Sequence, residues 1–377
     1  MNETMNASGA VTAPRLASLD ALRGFDMLWI VGADAIGGAL AGLKGGPVVQ
    51  FLAGQMDHAE WVGFNFYDLI FPLFVFMVGV AIPLSLDRLV VRADRTVALR
   101  RVLLRGVLMY GLGLLYYGGM TEGFAHLRLM GVLQRLAICY VGASVLYLYF
   151  KPWMLAVVCG GLLVGYWALL TFVPVPGFGP GDFARGHNLT NWIDSHYLPL
   201  RLWYGDTDPE GLLSNFPAIA SCLLGVFAGR WVSDPQIASN KKWSWLVLSG
   251  IVLMAAGYWW GVQFPVIKRL WTSSFVLVAG GWSVLLLAGF YYLIEVRGWR
   301  GWAQPFVWIG SNALTIYLVS RLVSFENLSA RFVGGEITAG LNGLWPGLGG
   351  LVLALFGISL CIVFCRFLYV RKIFLRL

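Results

Sequence analysis

His58 and Asp68 are ten positions apart: His58 sits at the mouth of a long apolar run, Trp61 to Leu86, and Asp68 lies inside it. An imidazole is the side chain whose unperturbed pKa lies closest to neutrality, so it serves as acid, base or acyl carrier. The apolar run is long enough to cross a bilayer as a helix, and a carboxylate inside such a run is costly unless it has a partner or a task. Asp68 is therefore expected at membrane depth, one helical span below His58. Together they point to proton-handling chemistry at a membrane face.

Other polar residues interrupt apolar runs. Asp26 and Asp34 lie eight residues apart in the first run, a spacing that puts them on roughly one helix face. Arg135 lies within the fourth run. A buried guanidinium without a partner is strongly destabilising, so Arg135 is expected to pair with Asp34 or Asp68, either to fix helix register or to serve the chemistry. Gly310-Ser311-Asn312-Ala313 could hydrogen-bond a ligand or could act as interhelical glue. The basic stretch Arg15 to Gly24, with Arg15 and Arg23, could clamp a phosphorylated ligand or could simply mark topology. The chain has no Walker-type loop, dinucleotide fingerprint or nucleophile elbow. Its five cysteines sit in apolar runs without metal-ligand spacing, so they read as packing residues and no metal is expected.

The elements that must position these groups are membrane helices. Of 377 residues, 58% are hydrophobic and only 12% are charged, about half the charged share of a soluble domain. The mean hydropathy is +0.72. Seventeen Trp and 47 Gly suit interfacial aromatic belts and close helix approach. Apolar windows predict an all-α polytopic bundle of about ten spans: 25–43, 62–86, 102–119, 129–150, 153–173, 212–230, 244–263, 271–294, 304–321 and 345–366. Residues 1–377 read as one domain, with a polar, flexible tail over 1–14, no cleavable signal peptide and a large loop over 174–211.

Basic residues orient the bundle. With both termini cytoplasmic, 18 Lys and Arg fall on inner segments and eight on outer ones, the asymmetry that the positive-inside rule expects. The net charge of +8 then reads as topology, and no nucleic-acid partner is needed to explain it. All four histidines fall on the outer face. The 174–211 loop mixes carboxylates with aromatic rings, a composition suited to a polyhydroxylated or amine-bearing ligand and equally to a solvated loop with interfacial rings.

The stretch Arg15-Leu16-Ala17-Ser18-Leu19-Asp20-Ala21-Leu22-Arg23-Gly24 resembles the start of the membrane region of the heparan-α-glucosaminide N-acetyltransferase family, which also holds YeiB-like and NagX-like bacterial proteins. The resemblance continues in order through His58-Ala59-Glu60-Trp61, Asp68-Leu69-Ile70-Phe71-Pro72 and Gly131-Val132-Leu133-Gln134-Arg135-Leu136. It resumes at Pro174-Val175-Pro176-Gly177, Asp208-Pro209-Glu210-Gly211-Leu212, Leu270-Trp271 and Gly310-Ser311-Asn312. It implies that His58 is the active-site histidine. Asp34 stands where the mammalian members have an active-site asparagine, and Lys44-Gly45-Gly46-Pro47 lengthens the following loop. The extra luminal domain and preceding span of the mammalian members are expected to be missing.

The resemblance further implies transfer of an acetyl group from cytosolic acetyl-CoA to the amine of a glucosamine-type sugar on the periplasmic side of a bacterial inner membrane. His58 would be base or acetyl carrier, with Asp68 and Asp34 supporting it. Arg15, Arg23, Gln134, Arg135, Ser311 and Asn312 are the expected acetyl-CoA contacts, and Trp61, Trp203, Asp208 and Glu210 the expected sugar contacts. A homodimer is a further expectation. The rival reading is a transporter of N-acetylglucosamine or related amino sugars, which would also use buried charge and outer aromatic rings.

Overall fold

Long apolar stretches bounded by Asn, Gly, Pro or charged residues become helices because a chain in lipid must satisfy its backbone hydrogen bonds within each segment. The computed structural model describes residues 16–119, 121 and 123–375; Arg15 lies outside them. The helices are α1 (Ala17–Gly42), α2 (Pro47–Gln55), α3 (Phe66–Arg92), α4 (Arg95–Tyr116), α5 (Val132–Tyr149), α6 (Pro152–Phe172) and α7 (Leu189–Tyr197). They continue with α8 (Asn215–Ser233), α9 (Ser239–Gly261), α10 (Ser273–Tyr291), α11 (Gln304–Gly310), α12 (Ala313–Leu322), α13 (Phe325–Val333), α14 (Glu336–Leu344) and α15 (Leu348–Val370). Among the described residues there is no β-strand, only an isolated bridge between Val175 and Gly179. The protein is a polytopic helical bundle.

Eight helices are long and apolar enough to cross a membrane: α1, α3, α5, α6, α8, α9, α10 with its π-helical last turn, and α15. Two of the ten expected spans differ, each for a physical reason. The 102–119 span is the second half of α4, whose first half carries Arg95, Arg100, Arg101 and Arg105. The 304–321 span is broken at Ser311 and Asn312 into α11 and α12.

Glycines set the closest approaches. A methyl group at Gly24 of α1 would collide with the Phe306 carbonyl of α11, and one at Gly310 would collide with the Asp20 carbonyl. Gly79 of α3 and Gly225 of α8 form a second crossing, where a Cβ on either would strike the other helix's backbone. Such small-residue contacts let dispersion act over backbone-to-backbone distances, which matters where both helix faces are apolar and hydrophobic burial supplies little drive. Around them lies one core that includes Leu22, Met27, Leu73, Phe76, Phe275 and Trp271, all nearly or fully buried.

Candidate active site

The start of α3 fixes the geometry. Asn65 caps that helix reciprocally: its side chain accepts from the third helical N–H, and the Asp68 carboxylate accepts the Asn65 N–H at 3.0 Å. Asp68 is thus in the first turn, at the very end of its helix. The expectation of a carboxylate one span below the histidine is corrected, because residues 61–65 are not helical and His58 reaches Asp68 directly. His58 Nδ1 stands 2.9 Å from Asp68 Oδ1, and the Ala59 N–H donates to Oδ2 at 3.1 Å. The carboxylate is 1% exposed and the imidazole 44%, so a buried anion orients a ring that a ligand can reach.

Two further groups complete this arrangement. The imidazole stacks on the Tyr67 ring at 4.6 Å and 8°, and Tyr67 and Asp34 line the same cavity. Asp34 is exposed, whereas Asp26 is fully buried with neither oxygen hydrogen-bonded. Lys268, which precedes α10, puts its ammonium 3.0 Å from His58 Nδ1 and 3.4 Å from Asp68 Oδ1. Burial depresses the Lys268 pKa, opposed by the neighbouring Asp68 carboxylate. One ring nitrogen cannot both donate to Asp68 and accept from Lys268, so the trio has two alternative proton arrangements. Sequence reasoning counted Lys268 only as an outer charge, since nothing local links it to a residue 210 positions away.

These groups line a cavity of about 400 Å³. Asp34, His58, Tyr67, Asp68 and Lys268 share it with Trp61, Trp203, Glu210, Trp271 and Arg321. Trp61 is held by its indole N–H, which donates to the Phe183 carbonyl at 2.9 Å. One wall is built around Arg128, which donates to Asp208 at 3.1 and 2.8 Å and to Glu210 at 2.6 Å. Its guanidinium also lies 4.5 Å from the Tyr117 ring and 4.4 Å from the Trp203 ring. These partners raise the Arg128 pKa against the effect of burial, and burial raises that of Glu210. Asp208 is absorbed by this network and does not line the cavity. Arg128, reckoned in the sequence only as an outer charge, organises the wall.

The expected partnership of Arg135 is also corrected. Its guanidinium donates to Ser214 and lies 4.8 Å from the Trp271 ring, paired with neither Asp34 nor Asp68. Two of its nitrogens have no hydrogen-bond partner. The ring face and the nearby carboxylates Glu210 and Asp208 supply the compensating charge.

The expected acetyl-CoA contacts fall into two groups. Gln134 and Arg135 are buried in the first turn of α5, near the His58 end of the bundle, and line neither of the cavities described here. Arg23 lies near the start of α1, 3.4 Å from Asp20. At that opposite end, a smaller cavity of about 250 Å³ is lined by Asp20, Arg300, Gln304, Ser311 and Tyr369, among others. Ser311 Oγ, both side-chain polar atoms of Asn312 and Thr315 Oγ1 are buried without hydrogen-bond partners. They cluster where α11 breaks into α12. Unmet donors and acceptors of that kind are what the amides of an extended ligand arm would satisfy.

Comparison with known proteins comes from two directions. Residues 15–116 match a family described as a domain of unknown function, DUF5009. The chain is 28% identical over 380 residues to heparan-alpha-glucosaminide N-acetyltransferase of Homo sapiens, covering 83% of this chain and 53% of that protein. It is 27% identical over 365 residues to the Mus musculus protein of the same name, covering 81% and 53%. The chain spans about half the length of the curated relatives it matches. By sequence it resembles the heparan-alpha-glucosaminide N-acetyltransferases over most of its own length.

Proposed function

We propose that the protein is a transmembrane acetyltransferase that moves an acetyl group from acetyl-CoA to the amine of a glucosamine-type sugar. One observation carries this reading: the histidine that the family resemblance singles out is oriented by a buried carboxylate and lines a cavity walled by aromatic rings and carboxylates. Aromatic faces cover the apolar side of a sugar ring, and Asp34 and Glu210 supply acceptors for its hydroxyls and ammonium.

His58 acts as general base. With its Nδ1–H donating to Asp68, Nε2, which also lies 3.4 Å from the Lys268 ammonium, takes a proton from the acceptor ammonium, and the freed amine attacks the thioester carbonyl. The same nitrogen is the one that would carry the acetyl group in a two-step transfer. Lys268 is the nearest cation to the imidazole and offsets negative charge as the carbonyl becomes tetrahedral. The attacking nitrogen gives up its second proton as the C–S bond breaks, and the departing CoA thiolate takes that proton up, leaving the amide, the free thiol and a protonated His58 that returns its proton to solvent. Trp61, Trp203 and Glu210 hold the sugar, while Asp208 acts through Arg128.

Acetyl-CoA enters at the opposite end. The polar atoms of Ser311, Asn312 and Thr315 receive its extended arm, and Arg23 and Arg300 offer charge to its phosphates. The excess of basic residues on that side supports cytoplasmic termini, with His58 on the outer face, which in a bacterial inner membrane faces the periplasm. A transporter reading draws on the same buried charge and could use the His58–Asp68 pair as a proton relay; the likeness to N-acetyltransferases favours the enzyme.

The test is His58→Ala in purified protein with labelled acetyl-CoA and a panel of amino sugars. Loss of an acid–base group costs roughly 10²–10⁴-fold in rate, so the variant should be almost inactive while its melting temperature and CoA affinity hold. A variant retaining more than about a tenth of the rate removes His58 from the mechanism.

A further inference from the structure

The helices around the His58 cavity end at two levels. On one side α3 starts at Phe66 and α4 stops at Tyr116, both at the cavity. On the other side α1 runs eight residues past Asp34 to Gly42, about 12 Å at 1.5 Å per residue. Helix α15 behaves alike: its Gly357 packs on Phe325, just after α12, about 14 Å below its own start at Leu348. The outer third of α15, Leu348 to Phe356, has no charged residue, and the short helices α13 and α14 pack along α15, α13 bringing Glu326 and Arg331 to that level. The cavity therefore opens where apolar helix meets charged side chains, the boundary between lipid chains and headgroups.

On this lipid side the cavity is flanked by α4 and α12. Helix α12 packs on α1 and α11, while α4 packs on α5 and α3. A stacked pair, Tyr116 and Tyr317, bridges α4 and α12 at 4.5 Å and 13°. Both rings line the cavity. Outside them Leu115 and Leu322 are 70% and 84% exposed. Arg321 lines the cavity at this margin, 5.9 Å from the Tyr116 ring, and has no carboxylate partner among the described residues. An exposed guanidinium among apolar residues is suited to an anion held at the boundary between headgroup and acyl chain.

We propose that the acceptor is membrane-anchored: an amino sugar joined through a phosphate to a lipid, which enters sideways between α4 and α12. The sugar passes the Tyr116–Tyr317 pair to reach His58, Arg321 binds the phosphate, and the lipid chain stays outside against Leu115 and Leu322. This rests on the acetyltransferase reading for its chemistry, but not for its binding step.

The experiment uses the full chain in nanodiscs with three probes: polyprenyl-phosphate glucosamine, free glucosamine, and polyprenyl phosphate without sugar. Binding is followed by tryptophan fluorescence, since Trp61, Trp203 and Trp271 line the cavity, and acetylation by labelled acetyl-CoA. The lipid-linked sugar should bind at least about tenfold tighter than the free sugar, as expected for an added charge-assisted contact. Arg321→Gln should lose most of that margin and Arg321→Lys should keep much of it. Equal affinity for lipid-linked and free sugar, or an Arg321→Gln variant that binds the lipid-linked sugar as the wild type does, overturns the proposal. So does crosslinking of Leu322→Cys between copies, which would mean that a second chain covers this face. Tight Arg321-dependent binding without acetylation leaves the proposal standing and removes the acetyltransferase reading instead.

Discussion

Arg128 shows how a single side chain organises a wall of the cavity. It neutralises Asp208 and Glu210 from a buried position, with Tyr117 and Trp203 against its guanidinium. Arg128→Met leaves two carboxylates buried without their counter-charge, and breaking such a network costs about 3–5 kcal/mol. The variant should melt several degrees lower in detergent and lose sugar binding before CoA binding. Asp194 gives a pH signature. Burial raises its pKa to about 7; the Leu212 N–H donates to one oxygen at 2.8 Å and the other oxygen has no partner. An unfolded Asp titrates near 3.9, so the folded state holds an extra proton between about pH 4 and 7. The stability from that proton is fully present below pH 4 and is lost as pH rises through 7. The thermal midpoint should fall between pH 5.5 and 8, and Asp194→Asn should flatten that slope.

At the scale of elements, apolar length and composition reveal most of the spans, but helix ends depend on local chemistry. The pattern Asn65-x-x-Asp68 is a capping signal that puts the helix start at Phe66 and Asp68 at its surface end. Reading the apolar run from Trp61 buried that carboxylate too deeply. The break at Ser311 and Asn312 was legible as a polar cluster, though not as the end of a helix. Helix crossings carry no local pattern, because they depend on which glycines face each other. Gly225→Val illustrates this: a Cβ there meets the Phe76 carbonyl of α3. The substitution should force α3 and α8 apart and shift Asp68 at the head of α3. A gel-filtration peak that stays monodisperse and a wild-type melting curve would count against this packing role.

For the whole molecule, the sequence supplied the class, the family resemblance and the His58–Asp68 pair. It missed Lys268 and Arg128, which join the site only through folding contacts across 210 and about 80 positions. It paired Arg135 with a carboxylate although a tryptophan face and Ser214 hold it. The fold puts one cavity at the His58 end and another at the opposite end, with unpartnered polar atoms at the break between α11 and α12. This architecture suits a reaction whose two substrates never share a compartment, because CoA is too large and too charged to cross the hydrocarbon core unaided. The direct test is sealed vesicles of known orientation, with labelled acetyl-CoA and a glucosamine acceptor supplied on chosen sides. Acetylated sugar should form only when acetyl-CoA is on the Arg-rich side and the amine on the His58 side, and no free sugar should cross. Accumulation of unmodified sugar across the bilayer without acetyl-CoA, abolished by Asp68→Asn, would contradict the acetyltransferase and identify a transporter.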